Sequence, residues 1–239
     1  MEDRFGAGLV NLLYPRRCPV CHEAVSPMGR WICLDCEGVF SYIKEPICLK
    51  CGKELGEDER ELCYDCESRE RVFEASTALM NYDLTAKDSM VYFKYKGRKE
   101  YADFYAEALI RARGDRILRW KPQLILPIPI HRSRRRVRGY NQAEEIAKRL
   151  GKHLGIPVRN DILVRRRRTE AQKELGAAGR ERNLEKALDV TASLEGVKRI
   201  LVVDDIYTTG STLQACARAL KKAGAEKVYG CTVCIGSDS

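Results

Sequence analysis

The sequence predicts an α/β fold, a mostly parallel, doubly wound sheet preceded by a small zinc-ribbon module. Three observations predict it. Eight cysteines recur at a fixed period between residues 18 and 66; strand-like and helix-like runs alternate after residue 71; and one apolar run ends in an acid pair followed by a hydroxyl-glycine loop. Strands that alternate with helices lie parallel, with the helices covering the sheet faces. The predicted division is 1–70 for the cysteine module and 71–239 for the sheet.

The cysteines form four CxxC knuckles, Cys18/Cys21, Cys33/Cys36, Cys48/Cys51 and Cys63/Cys66, each starting 15 residues after the one before. A CxxC turn sets two thiolates at two corners of a zinc tetrahedron, so four knuckles make two sites. Regularity of this kind points to tandem ribbons. Sequential pairing, first with second and third with fourth, is the default, and interleaved pairing is the alternative. Disulfides or buried thiols are the competing reading. A redox CxxC would stand once beside a βαβ pattern, not four times ahead of one. Coordination by cysteine alone leaves no open position, so both zincs are expected to be structural. His22, directly after Cys21, is expected at the surface rather than on the metal. The module has too few aliphatic residues for a core of its own, and metal supplies stability to units of this size.

Beyond residue 71 the elements follow in order. VFEASTALMNYD (72–83) and SMVYFKYKG (89–97) are strand or short-helix segments at the entry to the sheet. Residues 101–120 have helical apolar spacing, and QLILPIPIH (123–131) is a buried strand with a proline stop, followed by the basic run RSRRRVRG. Residues 140–154 form a helix that ends near Gly155, and ILVRRRR turns from a short strand into a basic loop. RILVVDD (199–205) is a strand, STLQACARALKKAG a helix with Gly224 as its stop, and KVYGCTVCI a last strand whose Cys231 and Cys234 fill core space.

The apolar content of 44% allows a core of ordinary size. No apolar run approaches the roughly 20 residues of a membrane-spanning helix, and the N-terminus opens with two acids and has no signal-peptide pattern. A cytoplasmic location and no membrane insertion are therefore expected. The net charge of +9 is unevenly placed, with −5 over residues 1–70 and +14 over 71–239. That surplus suits an anionic partner, either a polyphosphate or a nucleic acid.

The chemistry concentrates in VVDDIYTTGST. The strand delivers Asp204 and Asp205 to its C-terminal edge, where ligands of such sheets bind. Thr208, Thr209, Gly210, Ser211 and Thr212 then lead straight into a helix, whose N-terminus and free N–H groups favour a phosphate. Carboxylates would repel that phosphate and suit hydroxyls or a cation, so a ribose 5-phosphate satisfies both halves. The bland alternative takes Ser211 or Thr212 as an ordinary cap and the acids as surface residues. No Gly-Lys-Ser/Thr follows, which excludes a Walker loop, and the dinucleotide glycine fingerprint is missing.

VVDDIYTTGST resembles the phosphoribosyl pyrophosphate motif of type I phosphoribosyltransferases. Together with the knuckles, KYKGR (94–98), LPIPIH (126–131), RGYNQ (138–142), Arg168-Thr169-x-x-Gln172 and Arg182-Asn183, it resembles the ComF family of competence proteins, particularly the ComFC type. The resemblance implies a type I phosphoribosyltransferase sheet behind a double zinc ribbon. It implies that Asp204 and Asp205 contact the ribose hydroxyls, that residues 208–212 hold the 5-phosphate, and that Pro127, Ile128, Pro129, Ile130, His131 and Arg132 form a pyrophosphate loop working with magnesium. Prolines donate no N–H, so Ile128 and Ile130 are the expected donors; His131 is as well explained by a structural role. Arg134, Arg135, Arg136, Arg138 and Arg165, Arg166, Arg167, Arg168 are either solvated or contacts for anions and DNA. The second cluster opens a stretch resembling the hood loop of these transferases. The implied role is in DNA uptake and transformation, with single-stranded DNA and a competence helicase as partners. The alternative is an active phosphoribosyltransferase that transfers ribose 5-phosphate to a small nucleophile and releases pyrophosphate.

Overall fold

The computed structural model describes residues 15–56, 61–166 and 186–236. Arg167 and Arg168, with the rest of the predicted hood stretch to residue 183, lie outside the described residues. After a one-turn helix α1 (Tyr64–Glu67), the order is β1 (Ala75–Asn81), α2 (Leu84–Tyr95), α3 (Tyr101–Arg119), β2 (Leu124–Pro127), α4 (Arg132–Arg138), α5 (Gln142–Leu154), β3 (Leu163–Arg165), β4 (Leu188–Val190), β5 (Arg199–Tyr207), α6 (Ser211–Lys222) and β6 (Lys227–Ile235). The main sheet runs β1-β6-β5-β2, and every pair in it is parallel. β3 and β4 form a separate antiparallel pair. Of the two central strands, β6 is buried along almost its whole length and β5 through Ile200–Val203, which is why these stretches appear in the sequence as apolar runs. Cys216, Cys231 and Cys234 are fully buried, as core fillers should be.

Helices α3 and α5 pack together on one face, and α6 with the β3–β4 pair covers the other. Helix boundaries follow local chemistry. Asn141 caps α5 by accepting from Ala143 N at 3.2 Å, and Gly155 ends it in the left-handed region at φ 69°. The run RSRRRVRG, expected as an irregular basic segment, is the short helix α4. His131 caps its start by accepting from Ser133 N, and Gly139 at φ 80° closes it.

The cysteine module wraps the β1 edge of the sheet. Asn81 N donates to Ser41 O at 2.8 Å, Ile43 N to Leu79 O at 3.0 Å, and Ser76 N to Lys50 O at 2.7 Å, so an otherwise open edge strand is covered. Arg113 of α3, 9% exposed, fastens the junction by donating to Ala78 O at 3.0 Å and Ile43 O at 2.7 Å. Cys18, Cys33 and Cys36 join the core on the α3–α5 face, and the last four cysteines join the core on the α6 face.

Candidate functional site

Cys18, Cys21, Cys33 and Cys36 form one cluster and Cys48, Cys51, Cys63 and Cys66 another, with all sulfurs of each within 4.8 Å of one another. The pairing is sequential. Zinc–sulfur bonds of about 2.3 Å put tetrahedral sulfurs about 3.8 Å apart. Cys21 and Cys33 stand at 3.9 Å and Cys51 and Cys63 at 3.6 Å, so both sets fit the ion. S–H groups of Cys51, Cys63 and Cys66 hold the Cys48 thiol far below its usual range, while the bond to Cys48 holds Cys51 far above it. Four adjacent thiols need a dication to ionise together. The chain thus has two tetra-cysteine sites suited to structural zinc. His22 is not a ligand, but neither is it a surface residue. Its ring stacks on Tyr92 at 3.5 Å, shares a 2.8 Å bond with Tyr101 Oη, and pairs with Asp88 at 2.7 Å.

At the C-terminal edge of β5 the two acids differ. Asp205 pairs with Lys94 of α2 at 2.9 Å, and both side chains are largely buried. Asp204 is partly exposed and accepts from Asp205 N at 2.8 Å. Desolvation, reinforced by the Asp205 charge, pushes its carboxyl up to about 8. Asp205 is thus held in an ion pair, whereas Asp204 keeps a proton more readily than an ordinary carboxyl. Gly210 follows in the left-handed region at φ 73° and starts α6. The first helical bond there is Gln214 N to Gly210 O at 2.9 Å, so the N–H groups of Ser211, Thr212 and Leu213 precede the ladder and face outward for an anion. Asp204, Thr208, Gly210 and Thr212 line one small cavity with Ile128 and Thr232.

The loop after β2 runs beside this edge. Ile128 N bonds Val203 O at 2.8 Å, extending the sheet, so its N–H is already engaged and is not the pyrophosphate donor expected of it. Arg132, Arg134, Arg135 and Arg136 are exposed on α4. Of this cluster, Arg135 pairs with Glu144 at 3.2 Å, and Arg138 lies against Tyr95 while donating to its hydroxyl at 2.9 Å. Arg166 pairs with Asp189 at 2.8 Å. Arg165 is partly buried at the end of β3. Burial lowers its guanidinium below the usual range, Arg134 adds to that, and Asp204 opposes it.

The double zinc ribbon domain family matches residues 9–67, and the phosphoribosyl transferase domain family matches 135–238. Competence protein F of Haemophilus influenzae is 32% identical over 218 residues, covering 89% of this chain and 93% of its own length. The chain belongs to the ComF family of competence proteins. Competence protein ComFC of Streptococcus pneumoniae is 30% identical over 209 residues (82% of this chain and 84% of that one). The DNA utilization protein YhgH of Escherichia coli is 26% identical over 228 residues (93% and 98%).

In this ComF-family chain the RGYNQ segment works as a staple. Arg138 also donates to Gln142 Oε1 at 3.1 Å; Gly139 makes the turn; Tyr140 Oη bonds Phe93 O; Asn141 Nδ2 donates to Ile128 O at 2.9 Å; and Gln142 Nε2 donates to Phe93 O at 3.3 Å. It ties the loop after β2 to the end of α2, next to Lys94. Sequence reasoning placed Lys94 only within the KYKGR segment and gave it no role. Its signal was weak because its partner lies 111 residues away and nothing local marks the pair.

Proposed function

We propose that this protein binds phosphoribosyl pyrophosphate, with magnesium, at the C-terminal edge of β5, and that it acts in DNA uptake with single-stranded DNA on its basic surface. The observation that carries the first part is the junction of β5 and α6, where an acid pair, one member bound to Lys94 and the other raised by burial, meets a left-handed glycine at a helix N-terminus. The 5-phosphate takes the N–H groups of Ser211, Thr212 and Leu213 and the hydroxyls of Thr208, Thr209 and Thr212. The ribose hydroxyls lie on Asp205, paired with Lys94, and on Asp204, which can donate or accept a proton. Ile130 N and the guanidinium groups of Arg134 and Arg165 face the pyrophosphate, where magnesium would neutralise further charge.

The second part rests on the relatives, whose names speak of competence and DNA utilization, and on the +14 balance of residues 71–239. The exposed arginines of α4 lie one loop away from the acid pair, so DNA and ligand compete for one basic surface. A competence helicase is the proposed partner in that work. In the transferase alternative, the bond from the anomeric carbon to pyrophosphate breaks as an acceptor attacks. A pyrophosphate-release screen over acceptors, single-stranded DNA included, separates the two. Release with a small nucleophile favours transfer. No release, together with DNA affinity that falls as phosphoribosyl pyrophosphate is added, favours the binding role.

A further inference from the structure

We infer that the second four-cysteine site anchors the phosphate loop, with Tyr207 as the positioning residue beneath Gly210 and Gln214 as the tie between α6 and the chain leaving the site. The inference rests on the proposed reading of residues 208–212 as a phosphate loop. Metal held by Cys48, Cys51, Cys63 and Cys66 then sets how firmly the loop grips a phosphate, and its loss releases the loop.

Three contacts carry this. Tyr207, the last residue of β5, is 5% exposed and lies in the same buried cluster as all four cysteines of the second site. The ring also supports the loop directly. A Cβ on Gly210 would fall 2.2 Å from Tyr207 Oη and 2.6 Å from Cζ, so phenol and turn touch with no slack. The space a larger residue at 210 would invade is therefore filled by Tyr207, where the sequence alone pointed to the phosphate.

The third contact reaches the loop from its helical side. Gln214, 1% exposed, accepts from Val72 N at 3.0 Å and donates to Glu70 O at 3.1 Å, and these residues lie four and six positions beyond Cys66. Its own N–H bonds Gly210 O at 2.9 Å. The loop is thus keyed to the second site at both ends, through Tyr207 before it and Gln214 after it. The first site lies in the other buried cluster, and through His22 and Tyr101 it holds α2 and α3 instead.

Hydrogen exchange on the full chain tests this, read beside zinc content and calorimetry with phosphoribosyl pyrophosphate and magnesium. Tyr207→Leu and Gln214→Leu should each keep two zincs. Exchange over residues 208–214 should rise about tenfold while β2 and α5 stay protected, and ligand affinity should fall about tenfold. Tyr207→Phe keeps the ring and should restore both readouts. Cys63→Ser should lose one zinc and loosen the same segment; if that variant unfolds, the Tyr207 and Gln214 variants decide alone. Unchanged loop exchange in both Leu variants, or loosening spread evenly over the sheet, overturns the inference. A wild-type chain that ignores phosphoribosyl pyrophosphate overturns the ligand reading instead and leaves the exchange result to decide the anchoring.

Discussion

In the first ribbon His22 N bonds Cys18 O at 3.0 Å and Cys18 N bonds Glu23 O at 2.8 Å; in the second, Gly52 N bonds Cys48 O at 2.9 Å and Cys48 N bonds Lys53 O at 2.7 Å. The residue after each second cysteine is left-handed, His22 at φ 63° and Gly52 at φ 80°. The 15-residue repeat therefore builds the same knuckle twice. The surroundings differ. Cys21 is exposed, whereas all four cysteines of the second site are buried. His22 sends its ring outward to α2 and α3, while Gly52 has no side chain to send. A Cβ there would stand 2.8 Å from both Ser76 O and Thr77 Cα, so the second knuckle presses on the β1 backbone. The repeat sets metal geometry, and the residue next to the metal decides which part of the sheet each site holds. The first is tied to the helix bearing Lys94, and on our inference the second anchors the loop that precedes α6.

Metal loss should show the largest effect. Wild-type protein should carry two zincs, and Cys18→Ser and Cys63→Ser should each lose one. Structural zinc contributes on the order of 10–16 kcal/mol in small peptides, so both variants should melt far below wild type. One zinc in the intact wild-type chain would contradict the pairing. A smaller contrast follows within the knuckles. Gly52→Ala forces a left-handed alanine, at about 1–2 kcal/mol, against fixed backbone. It should therefore lower the melting temperature more than His22→Ala, which removes hydrogen bonds to Tyr101 and Asp88. Equal losses would mean that the two knuckles are seated alike.

The acid pair adds a pH dependence that the zinc sites do not. The carboxyl of Asp204 titrates near 8 when folded and near its ordinary value of about 3.9 when unfolded. The folded chain therefore holds a proton that the unfolded chain has released. This contribution to stability is complete below about pH 4, declines by at most about 1.4 kcal/mol per pH unit as pH rises towards 8, and is constant above that. Urea titrations of Asp204→Asn should lack that decline, and an unchanged slope would place the titration elsewhere. The smallest effect concerns DNA. Replacing Arg132, Arg134 and Arg136 with Gln should make the log–log salt dependence of single-stranded DNA affinity shallower by roughly 0.7 per phosphate contact removed. An unchanged slope would mark α4 as solvated surface.

Much of this was legible in the sequence because the signals were local. The four knuckles, the strand RILVVDD with its acid pair, and the step from hydroxyl loop to helix each sit within one short segment, and each folds as its segment predicts. What stayed hidden depends on distant partners. Lys94 meets Asp205 across the sheet, Tyr207 fits beneath Gly210 against the second cysteine site, and His22 is held by residues of α2 and α3. The misjudged donor at Ile128 has the same origin, since its N–H belongs to a sheet bond with Val203 that the proline-rich run does not announce. The arginine run of 132–138 reads locally only as a basic segment, with no apolar period to mark a helix. Capping by His131 and Gly139, with Arg135 paired to Glu144 and Arg138 to Tyr95, makes it a helix.

Calorimetry with phosphoribosyl pyrophosphate tests the central claim most directly. The account predicts binding to the wild-type chain that requires magnesium and weakens in Asp205→Asn. A hydrogen bond to a charged group contributes about 1.5–3 kcal/mol, so the loss should be roughly ten- to 150-fold in affinity, with zinc content unchanged. Wild-type protein that takes up no heat with ligand and magnesium, at any concentration up to about 1 mM, would contradict it.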